Sequence, residues 1–199
     1  MDDLKSQADN KREGNKIAVF FVLKMFILYF LLAGFNKFIY SATTPTGRFY
    51  NAFVSSHFDY IQGLRNALII PSTWIIKAFG CITYHNATEI MVIDGPILSI
   101  NYDCLGLNVM SFLIAFVTAF PAPWKPKARL LGISILTVYL LNVIRISGLA
   151  LLLKFFPSQQ VNFQYHHEAF SITVYIVIFI MLYLWIKKNA RLPKAQHSA

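Results

Sequence analysis

Three side chains in this sequence, Cys104, Arg145 and His167, supply a thiol, a fixed positive charge and a base. Those are the components of thiol-dependent acyl transfer. In that chemistry Cys104 attacks a carbonyl, His167 shuttles protons, and Arg145 stabilises the thiolate or the tetrahedral oxyanion. Each residue alone also has an ordinary explanation. A cysteine beside an apolar run is usually a small filler, and Cys104 has a candidate disulfide partner in Cys81, the only other cysteine. Arg145 follows Asn142 by three residues, which on a helix suits a polar clamp between helices or an arginine snorkelling to an interface. His167 sits between His166 and Glu168. Three consecutive helical positions point in different directions, and further ligands are lacking, so no metal site is expected there.

The elements that must position these groups are membrane helices. The chain has 199 residues, 56% hydrophobic and 14% charged, against about 45–50% and 25% for soluble domains. A soluble single-domain enzyme, a disordered chain, a collagen and a disulfide scaffold are all excluded. A spanning helix needs about 20 mostly apolar residues. Four stretches approach this: Ile17–Phe35, Leu105–Phe120, Leu130–Leu153 and Ala169–Ile186. The expected fold is an all-α polytopic membrane protein with about four transmembrane helices. An outer interfacial amphipathic region and a small β-hairpin complete it.

Lysines and arginines set the orientation. They cluster before the first stretch (Lys11, Arg12, Lys16), between the second and third (Lys125, Lys127, Arg129) and after the fourth (Lys187, Lys188, Arg191). The net charge of +9 therefore reports topology and not a nucleic-acid partner. Residues 1–16 read as a cytoplasmic tail, 17–38 as the first span and 39–103 as an extracytoplasmic region. Residues 104–187 form a three-span core and 188–199 a cytoplasmic basic tail. Within the extracytoplasmic region, 48–80 is expected to lie as amphipathic helix in the interface, with Leu64–Gly80 a rival fifth span. Residues 88–102 are expected to form a hairpin about Asp94-Gly95-Pro96. No phosphate-binding loop or cofactor fingerprint is present, and no cofactor is expected. This topology, built without reference to the three chemical residues, places Cys104, Arg145 and His167 at one outer membrane face on three helices.

At these residues the sequence resembles the exosortase/archaeosortase family, in a short, about-four-span form. Three blocks carry the resemblance: Cys104-Leu-Gly106-Leu107, Asn142-Val-Ile-Arg145-Ile146, and His167 four residues before Ser171. The resemblance implies Cys104 as nucleophile with Arg145 and His167 completing the catalytic set, His166 in reserve, and Asn142 and Gly106 in support. It also implies substrates among membrane-anchored exported proteins whose C-terminus carries a motif, a helix and a basic tail. Cleavage near the motif, and transfer to a surface acceptor, would occur at the outer face of a bacterial cytoplasmic membrane. The substrate helix would enter from the lipid bilayer through a lateral groove roofed by residues 48–80. The alternative is a non-enzymatic scaffold or transport subunit with a structural Cys81–Cys104 disulfide.

Overall fold

The computed structural model describes residues 2–157 and 163–189, with side chains from 12 to 157 and from 170 to 188. Each of the four apolar stretches contributes a helix. Helix α1 runs Asp2–Thr43, α4 Leu107–Ala119, α5 Trp124–Phe155 and α6 Phe163–Asn189. Three of them, α1, α5 and α6, are long and apolar enough to cross a membrane. Their outward faces carry large hydrophobic side chains such as Phe20, Phe30, Leu136, Ile144 and Phe179, all exposed. Apolar surface on this scale belongs in lipid.

Two of these helices depart from the sequence expectation. The first begins at Asp2, so residues expected as a separate tail continue the same helix. The second is shorter than its apolar stretch. Its 13 residues reach about 20 Å at 1.5 Å per residue, against a hydrocarbon core of about 30 Å. The missing turn at its start is a 3-10 turn, Tyr102–Leu105, separated from α4 by Gly106. At the other end the Pro121-Ala-Pro123 punctuation stops α4 and starts α5.

Between α1 and the 3-10 turn lie two helices and a small sheet. Helix α2 (Ala52–His57) is capped by Asn51, whose side chain accepts from the amides of Phe53 and Val54. Helix α3 (Tyr60–Ala78) is capped by Asp59, which accepts from the Gln62 amide at 2.8 Å. Ile61, Leu68, Ile69, Ser72 and Ile76 recur at helical spacing and are all buried. This stripe packs on α5, where Ser72 Oγ donates to the Val143 carbonyl at 3.4 Å and Tyr139 OH to the Ala67 carbonyl at 2.9 Å. Helix α3 is thus the amphipathic element expected over 48–80, with its apolar face turned onto protein.

The expected hairpin is present and gains a third strand. Strand β2 (Glu89–Val92) pairs antiparallel with β3 (Ile97–Ser99) about Asp94-Gly95-Pro96, and with β1 (Thr83–His85) on its other edge. Lys154, at the end of α5, donates to the carbonyls of Ile93 and Asp94 at 2.7 and 2.9 Å. That clamp holds the sheet over one end of the bundle. One core joins α3, the sheet, the 3-10 turn and the adjacent half of α5. A second joins α4, α5 and α6. The 3-10 turn that carries Cys104 lies where α4 meets the first of these cores.

Candidate active site

Cys104 sits in the 3-10 turn, half-buried against the core beneath the sheet. The turn can deliver it there because Gly106 has φ +73 and ψ 12, a left-handed conformation that ends the turn and starts α4 in one residue. Gly106 is required for a second reason. A Cβ at this position would lie 2.6 Å from Asn142 Nδ2 and 3.1 Å from Val138 Cγ1. The backbone of the cysteine turn therefore presses directly on α5.

Arg145 stands one turn beyond Asn142 on α5, and both are buried. Its guanidinium donates to Cys104 Sγ at 3.8 Å, and it lies over the Phe170 ring of α6 at 5.9 Å from the centroid. Among the described residues no carboxylate is within ion-pair reach of this arginine. A buried arginine in an apolar bundle is costly unless its neighbours take up its charge. Its described neighbours include a sulfur and a π-face.

Arg145 and Asn142 border a cleft of about 40 Å³, lined also by Asp103, Gly106, Ser171 and Tyr175 among others, with Cys104 behind its wall next to Arg145. It has room for a few water-sized groups. The Asn142 amide nitrogen is buried and has no hydrogen-bond partner among the described residues, which leaves an unsatisfied donor beside the cleft. Of the sequence candidates, Cys104, Arg145, Asn142 and Gly106 come together. His167, His166 and Glu168 lie in the first turns of α6, and their side chains are outside the described residues. No group of three or more His, Cys, Asp or Glu suited to a metal occurs among the described residues. Cys81 and Cys104 are not joined by a disulfide.

Sequence reasoning missed Asp103 and Tyr175. The only signal for Asp103 was its charge next to the cysteine, and none marked Tyr175. It also missed a polar lattice beside the 3-10 turn. Tyr60 OH donates to Asn36 Oδ1, and Asn36 Nδ2 donates to Ser111 Oγ at 2.9 Å, tying α3, α1 and α4 together. Next to it the buried Tyr102 phenol has no partner among the described residues. Burial first, then the nearby Tyr60, Asp103 and Tyr29, push it up to about 12. A tyrosine raised from about 10 favours the folded state fully below pH 10. That contribution is lost as pH rises through 12. Because the hydroxyl is unpaired, Tyr102→Phe is expected to change stability at neutral pH by less than about 1 kcal/mol. It should also flatten the loss between pH 10 and 12, read by unfolding in detergent across that range. A large loss at neutral pH would show that the hydroxyl has a partner.

Beside the cleft, an apolar groove of about 600 Å³ opens between α1, α4 and α6. No residue of α2 or α3 lines it, so the roof expected from 48–80 is corrected. Helix α3 is committed to α5 through its buried stripe and cannot also cover this groove.

No curated protein and no solved structure matches the chain. The family model for transmembrane exosortase matches residues 13–184, which extends the resemblance from the second half of the sequence to nearly all of it. The match includes α1, the sheet and the 3-10 turn along with the three blocks around Cys104, Arg145 and His167, and this chain is a member of the transmembrane exosortase family.

Proposed function

We propose that the protein is a membrane-embedded cysteine transpeptidase or protease that processes the C-terminal sorting signals of exported proteins. The observation that carries this reading is the approach of Arg145 to Cys104 Sγ at 3.8 Å, at the edge of a cleft in an apolar bundle. A buried arginine in an apolar bundle is costly without a use. His167 takes the Cys104 thiol proton as Sγ attacks a peptide carbonyl carbon, and the carbonyl electrons move onto oxygen. The resulting oxyanion faces the Arg145 guanidinium and the Asn142 amide, which has no hydrogen-bond partner among the described residues; both donors are fixed before the substrate arrives. Collapse expels the amine, which takes its proton from His167, and leaves the acyl group on sulfur. A surface acceptor or water then releases it.

The role of His167 is supported by helix geometry. Position 167 precedes Phe170 by three residues and Ser171 by four, the spacing that stacks positions on one helical face. Phe170 and Ser171 border Arg145 and the cleft. We place the sheet and the cleft at the outer face of a bacterial cytoplasmic membrane, with both termini cytoplasmic. The three basic clusters support that orientation. The partners are then membrane-anchored proteins with a motif, helix and basic tail at the C-terminus, the lipid bilayer and a surface acceptor.

Alkylation of the unreduced protein in detergent tests the reading. Iodoacetamide is expected to modify Cys104, located by mass spectrometry, without prior reduction. Two cysteines that become alkylable only after reduction would instead establish the scaffold with a Cys81–Cys104 disulfide.

A further inference from the structure

The apolar groove has three walls. On α6 it is lined from Tyr175 to Ile186 at steps of three and four residues, through Ile178, Phe179 and Leu182. On α4 it is lined by Val109, Phe112 and Phe116, again one turn apart, and α1 contributes Tyr29. Stripes at this spacing are the surfaces that helices offer to other helices. Helix α1 packs along α4 and α6 along α5, and no comparable packing joins α1 to α6 among the described residues. One edge of the bundle is therefore open to lipid.

The groove runs into the cleft. Val109 and Tyr175 line both, so a ligand lying in the groove ends beside Gly106, Asn142 and Arg145. From this continuity we infer that the groove is the docking site for the substrate's membrane anchor, held as a single transmembrane helix. The inference rests on the proposed function, since it needs Cys104 to be the nucleophile.

The dimensions favour a helix. Tyr175 to Ile186 is about 16 Å of α6 at 1.5 Å per residue. That length of continuous apolar wall matches about three turns of a docked helix. A helix half-sunk between α1 and α6 fits, with its other half in lipid. Association in a bilayer depends on such packing, since lipid removes the hydrophobic drive between helices. Aromatic side chains line all three walls and supply broad contact surfaces. The scissile segment then leaves the top of the docked helix where the groove meets the cleft.

A tethered peptide tests this. The probe is a single-span peptide of about 20 Leu and Ala residues carrying a pyridyl disulfide at one end, added to the full chain (Cys81→Ser) in phosphatidylcholine vesicles. Cys104 sulfur attacks the disulfide, a new S–S bond forms, and pyridinethione leaves with the electron pair. Photoreactive benzoylphenylalanine is placed singly at positions 112 and 179 in the groove, and at 140 and 144 on the exposed face of α5. Tethering raises the local concentration of the helix, so adduct yield at 112 and 179 is expected to exceed that at 140 and 144 by about tenfold. Equal yields, or adducts with lipid alone at 112 and 179, would overturn the docking site and leave the proposed function standing. Failure of Cys104 to form the tether would count against the proposed function itself.

Discussion

Cys104→Ala is expected to abolish processing of a co-expressed single-span protein ending in a motif, helix and basic tail, while the variant still folds and inserts. The two halves of that expectation have separate causes. Cys104 is half-buried at the edge of a core whose fully buried members include Leu68, Ile76 and Leu105. Losing one sulfur there costs on the order of 1 kcal/mol, a small share of the folding free energy. The chemical loss is of another size. Without the nucleophile the covalent route closes, and the rate falls by about a thousandfold or more. Arg145→Gln should lower processing by about a hundredfold, because it removes the full charge that faces the oxyanion but leaves a donor. Cys81→Ala should be indistinguishable from the parent, since Cys81 follows the C-terminal end of α3 and it is the Cys104 sulfur that the Arg145 guanidinium meets. Immunoblots of substrate in membranes separate precursor from product in each case. Normal processing by Cys104→Ala would remove the thiol mechanism, and equal loss in Cys81→Ala would point to a structural role for both cysteines.

The helices were legible because composition alone writes them. Runs such as Leu130–Leu153 have no other stable form in lipid, and the Asp94-Gly95-Pro96 turn announces a hairpin by its backbone chemistry. The buried stripe of α3 follows from the spacing of Ile61, Leu68, Ile69 and Ile76, yet its target does not. An amphipathic face suits lipid or protein equally, and only the fold shows that α5 takes it. Strand β1 left no trace because three residues carry no period, and it exists only through its register with β2. The shortness of α4 was hidden for a related reason. Cys104-Leu-Gly-Leu107 reads as the start of an apolar helix, and hydropathy does not register one left-handed residue. Asp103 and Tyr175 belong to the cleft through tertiary approach of the 3-10 turn, α5 and α6. Two elements brought together in space leave no joint pattern along the chain.

That left-handed residue carries the second large expected effect. Gly106→Ala must hold an L side chain at φ +73, which costs roughly 1–2 kcal/mol. It must also fit a Cβ that would otherwise lie 2.6 Å from Asn142 Nδ2. The turn then shifts from α5, and Cys104 shifts with it relative to Arg145. Misplacement of a reacting group by about 1 Å lowers rate by about a hundredfold, so processing should fall by that order while stability drops by about 2–3 kcal/mol. Combining the change with Asn142→Ala separates the causes. The smaller side chain opens space for the new Cβ, so the double variant should regain about 1 kcal/mol relative to additivity. The conformational cost at φ +73 remains. Processing should not recover with stability, because Asn142→Ala also removes the amide that faces the oxyanion. Thermal unfolding in detergent and the processing blot give the two readouts independently. Strict additivity in stability would mean that Gly106 and Asn142 do not touch. Recovery of processing along with stability would show that the Asn142 amide serves packing and not the oxyanion.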